Sequence, residues 1–477
     1  MTPRQRILSA ALCAAAALAP APALALQPLA EFMAAARRQN PDNREAALVV
    51  RQREHQIDQQ KWDFTPTVSA TAAYTRNQYE VKVTLPGAGD PANPITRTIT
   101  PFNQLDAQLT LTQPIVDVGI LRNLEIAKAN RAASEARVAS TRLSVDQSVA
   151  QAYYQVVAAE AFIAATEEVF QAARASLEIV QKRAAAGVAS DLDRRRAEVE
   201  VERGRKSIAD AEYNLAIARQ RLVSLAGVEP EPAAADPSIS VSLADEAPLP
   251  TFVDGHLDQV ASIKADLADA RTSEVQVRAA TALFFPTISA SANERFTNAT
   301  GFLGKYTIAS ASLNLSWRID LAIIPQLRAA KVQAQLAQVR VDRSRQRVYD
   351  QIHGAWHQVK AAVAKARSAR VERDTTRAAH KQARQRYEAG TGIFLEVTQA
   401  ERDAFSAHIS LIQANADLAY ARIALRLAAG RDLKETEALL RDDGEDPGPA
   451  PDPTPAPALA PIPDGTPPPL APVELAR

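Results

Sequence analysis

The chain has 477 residues, 47% of them hydrophobic but only 5% aromatic, and its 55 basic and 55 acidic residues leave a formal net charge of +0. A neutral chain gives no electrostatic reason to expect nucleic acid as a partner, and a composition rich in Ala and poor in aromatics suits long packed helices better than a compact globular core. The single cysteine is Cys13, so everything downstream of it lacks a thiol for disulfides, thiolate metal sites or nucleophilic catalysis.

Residues 1–25 read as a secretory signal. Arg4 and Arg6 precede the apolar stretch ILSAALCAAAALA, and Ala23-Leu24-Ala25 forms an A-x-A cleavage site, so the mature chain is expected to start at Leu26. Cys13 belongs to the apolar stretch, because Leu12 stands where a lipoprotein site needs a small residue. No later segment has about 18 uninterrupted apolar residues, so no membrane-spanning helix is expected.

The first unit, residues 26–227, opens with a predicted helix over about 29–62. TVSATAAYT (67–75) then alternates Val68, Ala70, Ala72 and Tyr74 with small polar residues. The Gly- and Pro-bearing stretch YEVKVTLPGAGDPANPITRTITPFN reads as a long loop. DAQLTLTQPI (106–115) alternates again, and a very long helix follows over about 119–183. A break at Gly187 and a further helix over about 191–226 complete the unit. Residues 228–245 form a linker.

The second unit, 246–435, repeats this order: a helix over 251–282, the alternating TISASANERF and IASASLNLSW, a long helix over 322–386, a break at Gly390 and a helix over 394–429. Gly390 lies 203 positions after Gly187, and AEYNLAIARQRLVSLAG (211–227) matches ANADLAYARIALRLAAG (414–430) at the same spacing. FTPTVSA (64–70) and FFPTISA (284–290) match at a spacing of 220, which puts 17 extra residues in the first unit's loop. A unit of about 200 residues present twice is an internal duplication, too long a period for a solenoid. Helices of about 65 residues would extend roughly 100 Å at 1.5 Å per residue. Their Ala, Leu and Val recur at helical spacing, as coiled-coil packing requires.

The four alternating segments fit strands of a half-buried soluble sheet. They also fit membrane-barrel strands of about ten residues, with one apolar face and one face of Ser, Thr, Asn and Gln. Four strands cannot close a barrel, and open edges do not persist in lipid. Strands that span a membrane would therefore have to be shared among chains, and three chains would supply twelve.

The duplicated strand–loop–strand–long-helix unit, together with NPDNREAALVV (40–50), QPIVDVG (113–119) and RYEAGTGIFLEV (386–397), resembles the TolC-like outer membrane efflux proteins over roughly residues 27–435. The resemblance implies a mainly α chain with a small β part: long antiparallel coiled-coil helices plus four membrane strands, shared in a trimeric barrel and helical tunnel. It implies a homotrimer in the outer membrane of a Gram-negative cell, contacting outer-membrane lipid, with its helical part in the periplasm. It implies a passive conduit of a tripartite efflux pump or type I secretion system. Its partners would be a periplasmic adaptor (membrane fusion) protein and an inner-membrane pump of RND, ABC or MFS type. A soluble periplasmic coiled-coil adaptor is the alternative, and it leaves the lumen-patterned strands unexplained.

By the same resemblance, Gly187 and Gly390 are hairpin turns at a closed periplasmic tip. Tyr387 occupies the tyrosine place before the glycine, Glu396 the place of an acidic ring residue, and Asp193 is its counterpart in the first unit. Gly392 stands where a basic latch residue is usual, and Gln399 where a second acid is. A simpler expectation for Asp193 and Glu396 is that each favours the N-terminal end of its helix, worth under about 1 kcal/mol.

His353 and His357 form H-x3-H, a spacing able to bind zinc. Their repeat mates are Ala150 and Tyr154, so the same face is expected to pack in both units without metal. No nucleophile motif or nucleotide loop is present, and neither enzymatic activity nor a cofactor is expected. The Pro/Ala-rich tail, 436–477, has little to bury and is expected to be disordered.

Overall fold

Two hairpins of very long helices dominate the computed structural model, which describes residues 26–87, 90–231, 241–255, 257–318 and 320–431. The expected signal, the whole of the expected tail and the middle of the linker lie outside the described residues. Helices α1 (Leu29–Gln39) and α2 (Pro41–Trp62) come first. The sequence predicts one helix here, and the break has a local cause. Pro41 disfavours helical ψ at the residue before it, and Asn40 takes ψ 131° with its side chain accepting from the Asp42 N–H at 2.9 Å. Asn40 thus becomes the cap of the second helix.

Strand β1 (Thr67–Arg76) pairs antiparallel with β4 (Asn103–Val116). Between them, β2 (Val81–Gly87) and β3 (Asp90–Thr100) form a second antiparallel ladder. This corrects the expected loop: VKVTL and ITRTIT alternate and pair, and Pro86, Gly87, Pro91 and Pro94 fall within the joined ends of the two strands. The Asn77 N–H donates to the Phe102 carbonyl at 2.9 Å, joining the two ladders into one extended hairpin.

Helix α3 (Val118–Ala185, 68 residues) and α4 (Asp191–Ala226) make the first helical hairpin. After the linker, α5 (Ala261–Ala282) leads to β5 (Thr287–Thr297) and β6 (Thr307–Ser316), and α6 (Ile323–Glu388, 66 residues) with α7 (Phe394–Ala428) makes the second hairpin. Each long helix is roughly 100 Å from end to end.

The sheet runs β1-β4-β5-β6, all antiparallel. Over much of its length the register keeps like residues on like faces: Val68 is opposite Leu111 and Ala70 opposite Leu109, while Ser69 faces Thr110 and Ser291 faces Ser312; Leu109 opposite Glu294 and Ile308 opposite Arg295 depart from this. Leu105, Leu313, Leu315 and Trp317 are exposed, so the apolar face has nothing over it among the described residues. β1 and β6 each lack a second neighbour among the described residues.

The main core lies midway along the helices, where α1 packs on α3 and α4 around Phe32, Val149, Val156, Leu222, Ile352, Leu418 and Leu425. The linker is strapped to this waist: fully buried Arg422 donates to the Ser242 and Ala244 carbonyls at 2.8 and 2.7 Å, and Arg426 bridges Glu246 at 2.8 Å. Among the described residues no helix is long and apolar enough to cross a membrane.

Candidate functional site at the hairpin tips

Both helical hairpins reverse through the same backbone device. At the end of α3, the Gly187 N–H donates to the Ala184 carbonyl and the Val188 N–H to the Arg183 carbonyl. At the end of α6, Gly390 donates to Tyr387 and Thr391 to Arg386. These are paired Schellman closures, which need a residue with positive φ. Gly187 and Gly390 have φ 72° and 78°, and a Cβ at either would meet nothing within 4 Å. Glycine is therefore selected here for backbone freedom, not for space.

Tyr387 is 8% exposed and sits in a small apolar cluster with Val180, Ala197, Phe394 and Val397. Its ring lies 5.5 Å from the Phe394 ring, and the Arg183 guanidinium stands over it at 4.6 Å. Arg183 also donates to the Tyr387 carbonyl at 2.9 Å, so the first hairpin caps the helix end of the second. The Tyr387 hydroxyl is buried and has no hydrogen-bond partner among the described residues. Burial pushes this phenol above its usual range; Arg183 opposes the rise and the Asp193 carboxylate adds to it.

The two acidic positions matched by the repeat are not equivalent in structure. Asp193 closes a capping box with Ser190: its carboxylate accepts from the Ser190 backbone N–H at 3.4 Å and from the Ser190 hydroxyl at 2.7 Å, while its own N–H donates to Ser190 Oγ at 3.1 Å. That arrangement satisfies two orphan donors at the start of α4. Glu396 lies in the first turn of α7, where Ile393 offers no side-chain cap, and its carboxylate is 3.6 Å from Arg386 with both side chains about half exposed. Gly392, in the place expected of a basic latch, packs close to the helix end: a Cβ there would lie 3.2 Å from the Arg386 Cβ.

Above the tip is a second polar layer that sequence reasoning missed. Arg402 of α7 bridges Glu200 of α4, which also pairs with Arg203 at 2.8 Å. This layer borders a cavity of about 360 Å³ lined also by Thr166, Gly204 and Phe405. Glu401 projects into the same region with one carboxylate oxygen unpartnered among the described residues. Burial pushes its carboxyl up to about 7; Glu200 adds to the rise, and Arg384 and Arg402 oppose it. Glu401 falls on Glu198 in the first unit, and Arg402 on Val199. The bridge breaks the repeat, so comparison of the two units could not find it. Among the described residues no group of three metal-ligating side chains is assembled within the chain.

The comparisons with known proteins agree with this architecture. The family described as Outer membrane efflux protein matches residues 33–228 and 256–431. Protein CyaE of Bordetella pertussis is 28% identical over 291 residues, 59% of this chain and 61% of its own length. The match thus spans less than two thirds of that relative. Among solved structures, CusC superposes with a TM-score of 0.68 at 21% identity, covering 85% of this chain and 92% of its own. The outer-membrane channel OprN gives 0.65 at 24%, covering 85% and 90%. The open state of the MtrE outer membrane channel of Neisseria gonorrhoeae gives 0.64 at 20%, covering 86% and 90%.

Proposed function

The chain belongs to the outer membrane efflux protein family, and from that premise we propose that it works as a homotrimeric conduit carrying solutes or proteins out of the cell without catalysis. The observation that carries this reading is the four-stranded sheet. It has an uncovered apolar face, a polar opposite face and two unpaired edges, and it stands in series with helices of about 100 Å. Lipid would cover the apolar face, and open edges in lipid require neighbouring chains. Three copies give a twelve-stranded barrel, and their twelve long helices a tunnel across the periplasm. A soluble adaptor would have to leave Leu105, Leu313, Leu315 and Trp317 in water.

The hairpin tips form the far end of the tunnel and its resting closure. Glu396, exposed beside Arg386, supplies a ring of three carboxylates. Tyr387 supplies a buried hydroxyl whose partner comes from the neighbouring subunit. Asp193 acts chiefly through its cap. A periplasmic adaptor docks on the tips, and an inner-membrane pump of RND, ABC or MFS type provides the energy. Small-molecule efflux and type I protein secretion use the same path.

Light scattering in detergent and conductance in a planar bilayer test this. A trimer that forms discrete, mostly closed channels is expected. A folded, stable monomer, or a protein that stays soluble without detergent and conducts nothing, would overturn it.

A further inference from the structure

His353 and His357 lie one turn apart on α6, both exposed, with their rings 4.5 Å apart between centroids. Tyr349 stacks on His353 at 6.2 Å, and Trp356 meets His357 edge-on at 4.9 Å, so neighbours on the same helix hold the pair in place. Sequence symmetry predicts that this face packs, because Ala150 and Tyr154 occupy it in the first unit. The structure differs: Ala150 is 0% and Tyr154 8% exposed, whereas both histidines are open.

The difference follows from the order of the two units. Within one chain α3 packs against α7, and Tyr154 shares a cavity of about 510 Å³ with Gln413, Ala416 and Asp417. α6 packs on α7 and α5, which leaves its histidine face bare. Three copies of a duplicated chain closed in a ring form six similar junctions, three inside chains and three between them. In each junction between chains, α6 meets α4 of the partner subunit as α3 meets α7 inside a chain.

The repeat spacing of 203 then gives the facing residues: His357 takes the place of Tyr154, and Asp210 of the partner subunit that of Gln413. In the single chain Asp210 is exposed and makes no hydrogen bond or ion pair with the described residues. Tyr213 and Ile217 beside it are 67% and 54% exposed, as expected of a face awaiting cover.

We propose that His353 and His357 of one subunit and Asp210 of the partner subunit form an intersubunit site for a divalent transition-metal cation of the zinc, cobalt or nickel type, a reading that rests on the trimer proposed above. Imidazoles four residues apart on one helix face can chelate a single ion, and neutral imidazole suits these metals. A carboxylate makes a third protein ligand, with water completing a four-coordinate site. Because the ion would bind the assembled junction and not the separated chains, it would favour the trimer by mass action.

The test uses the full-length protein without a histidine tag, in detergent, with light scattering, zinc calorimetry and thermal dissociation of the oligomer in zinc or in EDTA. The expected result is one zinc per subunit, binding lost in His353→Ala and His357→Ala, and affinity lowered about tenfold or more in Asp210→Asn. Zinc should raise the dissociation temperature of the unaltered trimer most, that of Asp210→Asn less, and those of the histidine variants not at all. His353→Gln keeps size and polarity and guards against loss of fold in the alanine variants. A trimer that binds no zinc, or binds it equally in all variants, overturns the site while leaving the channel reading intact. Histidine-dependent binding that is indifferent to Asp210→Asn and does not affect dissociation overturns the intersubunit assignment. A monomer overturns the trimer itself, and Asp210 with it.

Discussion

The Arg183 guanidinium lies 4.6 Å from the centre of the Tyr387 ring and donates to the Tyr387 carbonyl at 2.9 Å. One side chain of the first hairpin thus joins both the ring and the helix end of the second. A cation–π contact of this kind is worth about 0.5–2 kcal/mol, and a charge-assisted hydrogen bond about 1.5–3 kcal/mol before solvent screening. Arg183→Ala should therefore loosen the tip by about 1–3 kcal/mol. Faster protease cleavage near 187 and 390 and a higher resting conductance would follow. Arg183→Lys should recover little, because an ammonium cannot lie flat on the ring while reaching the carbonyl. Unchanged cleavage in both variants would show that the contact carries no load.

The Tyr387 hydroxyl is buried without a hydrogen-bond partner among the described residues of its chain. A buried unsatisfied hydroxyl costs about 1–3 kcal/mol, so a hydrogen bond from a neighbouring subunit would hold the closed tip. Tyr387→Phe should leave trimer yield unchanged and raise resting conductance. If conductance stays at the unaltered level, the hydroxyl has no partner in the assembly and the phenyl ring alone is what packs.

Glu396 is about half exposed and, among the described residues, is held only by Arg386 at 3.6 Å. Three such carboxylates near one axis attract cations. Glu396→Gln should weaken cation selectivity and block by a trivalent cation, with assembly preserved. Asp193→Asn should instead destabilise the start of α4 by about 0.5–2 kcal/mol, the usual worth of a lost cap, with a smaller effect on selectivity. Equal selectivity changes in the two variants would contradict the different roles given to these acids.

Glu401 is raised to about 7, mainly by burial and then by Glu200, against Arg384 and Arg402. A carboxyl raised in the folded state binds more protons folded than unfolded between about 4.5 and 7, so the contribution of Glu401 to stability is fullest below about 4.5 and is lost as pH rises through about 7. The loss is on the order of 3 kcal/mol. Thermal midpoints measured from pH 4.5 to 8 should decline over this window and then level off, and Glu401→Gln should flatten the decline. An equally steep decline in Glu401→Gln would assign it to other groups.

Much of this protein is legible in its sequence because its signals are local and occur twice. Gly187 and Gly390 punctuate the long helices because a helix reversal needs positive φ, and the period-2 runs at 67–75 and 308–317 are strands because alternation puts one face in a different solvent. The β2–β3 ladder was hidden because Gly and Pro near the bend outweighed the alternation on either side.

Contacts between elements far apart in the chain were decided by tertiary structure alone. Arg183 and Tyr387 are 204 positions apart, and no pattern in either helix announces that they meet. Arg402 and Glu200 bridge the two hairpins at positions where the units differ, so the duplication could not reveal them. The duplication itself misled at one place. Ala150 and Tyr154 are buried and His353 and His357 exposed, because the repeat copies each unit's face but one chain contains only one of the two neighbours those faces need. Sequence determines which surfaces are made to be covered; the arrangement of the chain decides which of them it covers itself and which are left to lipid or to another copy.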